Sequence, residues 1–165
     1  MLAAAIIGFH EYREHKAGVQ VGQMERLYDA FNSPAMMVTR SRAAAQPEHF
    51  GRDAYQVFVD LEKLARWEEK GLVNVDDLKY YFQDPIQLYW YTWESEIRKN
   101  RSSAGGDPQL YKGVERMAKL LEKQGIKRPT EAQLKEWRHF EILRAAPDLT
   151  PANPDTAEVA PTATQ

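Results

Sequence analysis

His10, Glu11, Glu14 and His15 stand close together near the N-terminus. If that stretch is helical, His10 with Glu14, or Glu11 with His15, shares one face at i, i+4, a spacing that can hold a metal ion. Two ligands do not complete a coordination sphere, and neither a third ligand nor an HExxH pattern accompanies them, so no metal is assigned. His139 stands one turn after Glu136, the arrangement of a general base oriented by a carboxylate. A structural histidine on a helix is the simpler reading of the same residues. Glu68, Glu69, Asp76 and Asp77 flank a helix–loop–helix junction, but Gly71-Leu72-Val73-Asn74 lacks the alternating oxygen ligands of a calcium loop. Ser102-Ser103-Ala104-Gly105-Gly106 has no lysine and no preceding strand, unlike a phosphate-binding loop. No catalytic, cofactor-binding or metal-binding residue and no cofactor is therefore assigned.

Two other groups carry chemistry of association. Tyr80, Tyr81, Phe82, Tyr89, Trp90, Tyr91 and Trp93 fall within fourteen positions. Ile86, Trp90, Trp93 and Ile97 make one helical stripe, with Tyr89 and Tyr91 on other faces. Such a helix either forms the centre of a core or presents aromatic side chains to a partner, and both readings stay open. On the second, Tyr80, Tyr89, Tyr91 and Trp93 are the candidate interaction surface. The other group is basic: Arg98, Lys99, Arg101, Lys112, Arg116, Lys119 and Lys123 form a candidate anion-binding stripe that continues to Lys127 and Arg128. Glu115 and Glu122 interrupt it, and a solvated helix laced with ion pairs accounts for the same residues.

The elements that must position these groups are marked by their ends. Met24, Leu27, Tyr28 and Phe31 predict an amphipathic helix over 19–31. Ser33-Pro34, a capping residue before a proline at the first helical position, predicts the next helix to about Ala45. Ala54, Val57, Phe58, Leu61, Leu64 and Ala65 define the clearest amphipathic helix, ending near Gly71. Asn74 or Val75 opens a short helix with Leu78, Tyr81 and Phe82. Asp84-Pro85 and Asp107-Pro108 repeat the capping pair and predict helix starts. The second of these helices ends before Gly125. Thr130 with Gln133 fits a capping box for a last helix to about Ala145. No stretch alternates apolar and polar residues long enough to predict a sheet.

The fold class predicted is all-α: a compact bundle of about six to seven helices over 19–145 with a disordered C-terminal tail over 146–165, where Pro, Thr, Ala and scattered acids show no apolar period. Length and composition fit one domain, with 43% hydrophobic and 28% charged residues in 165. Charge is nearly balanced, 22 Lys and Arg against 24 Asp and Glu, so no global field recruits nucleic acid. It is unevenly distributed: Arg52 to Asp84 holds eight acids and five bases, Arg98 to Arg144 twelve bases and six acids. The absence of cysteine excludes disulfides, thiolate zinc sites, iron–sulfur clusters and cysteine nucleophiles. Residues 1–18 form an apolar N-terminal segment whose longest run, Leu2 to Phe9, is shorter than the roughly 18–20 residues that span a bilayer.

The residues from Ile6 through Ser33-Pro34 to Arg40-Ser41-Arg42, then Leu61-Glu62-Lys63-Leu64-Ala65 to Gly71, and Trp90 to Arg101, resemble an uncharacterised family of small bacterial helical domains. The resemblance covers Ile6 to Leu121. It implies no catalytic motif. Members often carry a transmembrane helix before the first soluble helix. Leu2 to Phe9 with Arg13 and Lys16 looks like the end of such an anchor but is too short to be one. Either the anchor continues upstream, in which case its basic flank puts the domain on the cytoplasmic side, attached to the inner face of the cell membrane, or it is lost and Leu2 to Phe9 packs on the domain or a partner. The reading that leads is a non-enzymatic helical interaction module with a protein partner, tethered through the N-terminal segment. The alternative is a binder of nucleic acid or anionic lipid through Arg98 to Arg128, and the second alternative an enzyme with an acidic or histidine-containing pocket.

Overall fold

Serine before proline does what its chemistry dictates. The Ser33 hydroxyl accepts from the Met36 N–H, and Pro34 occupies the first position of a helix, where no N–H is needed. The computed structural model describes residues 22–145, and every regular element among them is helical. Helix α1 covers 22–31, α2 Pro34–Ala45, α3 Arg52–Glu69, α4 Val75–Asp77, α5 Gln83–Ser102, α6 Lys112–Lys123 and α7 Glu131–Arg144. A π-helical turn, Leu78–Phe82, joins α4 to α5. The N-terminal metal pair, the apolar segment 1–18 and the tail 146–165 lie outside the described residues. Among the described residues, no helix is long and apolar enough to cross a membrane.

The ends of α3 and α6 follow one rule. Gly71 and Gly125 adopt φ +66° and +83°. In each case the N–H after the glycine reaches back over a full turn, Leu72 to the Trp67 carbonyl and Ile126 to that of Leu121. This closure satisfies orphan carbonyls and needs a left-handed residue. Asn74 with Asp77 and Thr130 with Gln133 form reciprocal capping boxes at the starts of α4 and α7.

Two predicted starts are corrected. Asp84-Pro85 does not open α5: the chain is already helical through Asp77 and Leu78, the π turn carries it on, and α5 begins at Gln83. Pro85 is tolerated because the first turn of a helix leaves its N–H groups without intrahelical partners. Asp107-Pro108 does not open α6 either. The Asp107 carboxylate accepts from the Gln109 N–H at 2.8 Å to hold a turn, and α6 starts at Lys112. The interruption is Tyr111, a non-glycine residue at φ +52°. Its ring packs 4.6 Å from that of Phe58 and 5.6 Å from that of Phe50, and the backbone turns left-handed where that ring enters the core.

Helix α5 is the centre. Ile86, Tyr89, Trp90, Trp93 and Ile97 are all at most 2% exposed, and the rings of Tyr89 and Trp93 stack nearly parallel with centroids 5.7 Å apart. The aromatic helix is therefore core on more than one face, and Tyr89 and Trp93 do not belong to an interaction surface. Helices α3 and α6 pack together and against α5, while α2 packs on α3 and α7. The α3–α6 approach is tight at Gly113, where an added Cβ would stand 2.7 Å from the Ala65 Cβ and 2.8 Å from a Glu62 carboxylate oxygen. Glu62 uses that closeness: its carboxylate accepts from the Val114 N–H at 2.9 Å. It caps from another helix an N-terminus whose own cap residue, Tyr111, contributes no side-chain hydrogen bond. Gly113→Ala is expected to destabilise the domain by about 1–3 kcal/mol through overpacking and loss of that cap, read as a lowered urea midpoint. An unchanged midpoint would show that the approach is not tight.

Candidate interaction cleft

Rings lead outward from the core to one cleft. Phe31 meets Phe82 at 5.6 Å, Phe82 meets Tyr28 at 6.0 Å, Tyr28 meets Tyr81 at 5.3 Å, and Tyr81 meets Tyr80 at 4.7 Å between centroids. Tyr80 ends the series 82% exposed. The π turn is what delivers it: its wider i→i+5 closure places an extra residue in the turn, so Leu78 and Phe82 are buried while Tyr80 between them points to solvent. Across the cleft, α7 presents Trp137 and Phe140, the latter 53% exposed. The space between α1, the π turn, the start of α5 and α7 is about 550 Å³, within the range of sites that take a small ligand or a few peptide residues.

Its floor is a buried ion pair. Arg40, 2% exposed, donates to the Phe31 carbonyl at 3.2 Å, to the Asn32 side-chain oxygen at 3.0 Å, and to the Glu141 carboxylate. Its guanidinium also lies 4.5 Å over the Phe31 ring. Arg40 Nε has no hydrogen-bond partner. The Tyr89 hydroxyl donates to the Arg40 carbonyl at 3.4 Å, and burial first, then the Glu141 charge, push its pKa far above the ordinary tyrosine value. Lys79 and Arg144 bring positive charge to the rim and Asp84 negative charge.

Of the candidate surface Tyr80, Tyr89, Tyr91 and Trp93, only Tyr80 therefore belongs to the cleft. Tyr91 is half-buried elsewhere on α5. It donates to Glu122 beneath the Arg128 guanidinium, 4.5 Å from its ring, and burial with the Glu122 hydrogen bond raises its pKa. Tyr28, Arg40, Trp137, Phe140 and Glu141 were not expected at a site. Trp137 and Phe140 share a helical stripe with Leu134, but only Leu134 is buried and the other two line the cleft.

The basic residues do not form an open field. Arg101, its side chain 9% exposed, pairs with Glu115 and donates to the Leu110 carbonyl at 2.7 Å. Arg98 bonds to Glu94 and Glu115, Lys119 to Glu115, and Arg116 to Glu68 and to the Ala65 carbonyl. Lys99, Lys112 and Lys123 are exposed and make no ion pair among the described residues. Four of the seven residues of the predicted stripe are thus tied up in ion pairs. Beside α6, a second cleft of about 710 Å³ is lined by Glu62, Glu68, Glu69 and Glu115. Three of these four acids are committed as well: Glu62 is held by the Val114 N–H, Glu68 by Arg116, and Glu115 by Arg98, Arg101 and Lys119, while Glu69 is exposed. His139 is exposed. Among the described residues, no three His, Asp or Glu converge on a metal position.

Compared with known protein families, curated proteins and solved structures, the chain matches none.

Glu115 has the one strongly shifted acid in this network. Burial alone would raise its pKa, but donation from Lys119 and Arg101, with the charge of Arg98, lowers it from an ordinary 4.5 to about 2. Because the folded value lies below the unfolded one, its contribution is complete above the unfolded value and is lost as pH falls toward the folded value. The gap corresponds to about 3 kcal/mol. Glu115→Gln is expected to lower the unfolding free energy by about 3 kcal/mol at neutral pH, with parent and variant converging near pH 2. Denaturation curves that stay parallel from neutral to acid pH would refute the network's role.

Proposed function

We propose that this chain is a non-enzymatic helical interaction module that takes a short peptide segment of a protein partner into the cleft between α1, the π turn and α7. The observation that carries this is Tyr80, exposed at the end of a continuous series of packed rings. An aromatic side chain braced on other rings presents contact area at little conformational cost, which is how binding anchors work. Phe140 faces it from a separate helix and Arg40–Glu141 rigidifies the floor, so both walls are held before any partner arrives. The chemistry of the second cleft points away from catalysis. A general acid needs a pKa raised toward the working pH, whereas Glu115 is driven down to about 2. An anion-binding role through Arg98 to Lys123 has less support, since Arg98, Arg101, Arg116 and Lys119 are already paired.

Selection of a random displayed-peptide library on the immobilised chain tests this reading. Enriched peptides are expected to bind the double variant Tyr80→Ala, Phe140→Ala at least about tenfold more weakly. Its melting temperature should stay close to that of the parent, because exposed side chains contribute little to folding. Peptides that bind parent and double variant equally, or a library that yields none, would sink it.

A further inference from the structure

The cleft's own chemistry indicates what fills it. Its walls are aromatic, with Tyr80, Tyr81, Trp137 and Phe140, the type of surface on which proline-bearing segments dock because their extended helix is preformed and proline rings stack on aromatic faces. Its charges leave positive groups unspent. Glu141 is committed to Arg40, and Arg144 lies only within 3.9 Å of that same carboxylate. Lys79 makes no ion pair among the described residues, and Arg40 keeps one buried N–H without an acceptor. Asp84 is the one further acid in the lining. A matching occupant carries prolines, carboxylates and no bases.

Such a segment belongs to this chain. From Pro147 to Glu158 the sequence reads Pro-Asp-Leu-Thr-Pro-Ala-Asn-Pro-Asp-Thr-Ala-Glu, with three prolines, three acids and neither lysine nor arginine. It begins three residues after Arg144, the last residue of α7, which lines the cleft. The wall that α7 provides, from Trp137 to Arg144, is about 10 Å long at 1.5 Å per helical residue. The twelve residues of the segment reach about 37 Å in polyproline II form, enough to double back along the wall. Attachment at the rim also supplies an effective concentration in the millimolar range, so a weak contact suffices.

We propose that residues 147–158 occupy the cleft of the same chain and compete with the partner peptide. The proposal rests on the peptide-binding reading above. It assigns the partner's chemistry too: a segment that displaces this one is proline-bearing and acidic.

The chain has no cysteine, so Thr156→Cys in the full-length protein accepts a single nitroxide label. With the label oxidised, the Trp137 indole and Tyr80 amide NMR signals are expected to lose most of their intensity, while Lys112 and Lys123 on α6 keep theirs. Replacing Asp148, Asp155 and Glu158 by Lys in the labelled chain should restore the signals. In the unlabelled chain the same replacement should make library-selected peptides bind about tenfold more tightly. Absence of broadening overturns the proposal, as does broadening that survives the charge reversal. Broadening seen only when labelled and isotope-enriched chains are mixed overturns the intrachain contact in favour of docking between copies. If selected peptides still require Tyr80 and Phe140 while the label has no effect, this inference fails and the peptide-binding reading stands; if neither is seen, both fail.

Discussion

Helix α5 carries Ile86, Tyr89, Trp90, Trp93 and Ile97, none more than 2% exposed, and a helix with that much apolar and aromatic area on several faces cannot lie on the outside of a small domain. It has to be enclosed, and the remaining helices are placed by that requirement. Helices α3 and α6 cover one side, with Phe58 and Tyr111 packed together and Phe58 against Trp93. Helix α7 covers another, reached through the pairing of α2 with both α3 and α7. Truncating a buried tryptophan in such a position typically costs about 3–5 kcal/mol, a large part of the stability of one domain.

Enclosing a helix also buries polar groups at its edges, and these explain where the charges went. Gln87 donates to the Lys127 carbonyl at 3.0 Å, the Tyr89 hydroxyl finds the Arg40 carbonyl, and Arg98 and Arg101 flank Trp90 with guanidinium carbons 5.7 and 5.6 Å from its ring. With Arg101 turned inward, Glu115 has to follow it. A buried pair adds little net stability, but losing one partner strands the other charge at a cost of about 3–5 kcal/mol. Arg101 on α5 therefore serves to close the core, while Arg98, Arg116 and Lys119 reach acids from the half-exposed rim and Lys99, Lys112 and Lys123 are exposed to solvent.

Which parts of this were legible in the sequence follows from how local their causes are. Ser33-Pro34, Asn74, Thr130, Gly71 and Gly125 act within one turn of themselves, and the helix ends they mark are where they were expected. The starts of α5 and α6 were displaced by causes lying elsewhere: a π turn that continues a helical path, and a tyrosine whose ring is wanted between Phe50 and Phe58. Periodicity locates a side chain around a helix but not which directions are covered, so Tyr89 and Trp93 could not be separated from Tyr80 as surface. The cleft floor was beyond reach for another reason. Arg40 and Glu141 lie 101 residues apart, and nothing local to either marks the pairing.

The cleft is a consequence of the same enclosure. For α5 to begin beneath α1 and α7, the chain must arrive from α4 along a helical path, and the π turn achieves this by accommodating one more residue than an α-turn. Leu78 and Phe82 take the two inward positions, and the position between them has to face out. A leucine or valine there would be an exposed apolar group with nothing to brace it. Tyrosine at 80 has a hydroxyl for water and a ring for Tyr81, so it remains in solvent while keeping an ordered face. The distortion that seats α5 thus also sets an exposed aromatic ring across the cleft from Phe140, where the core's geometry is least regular.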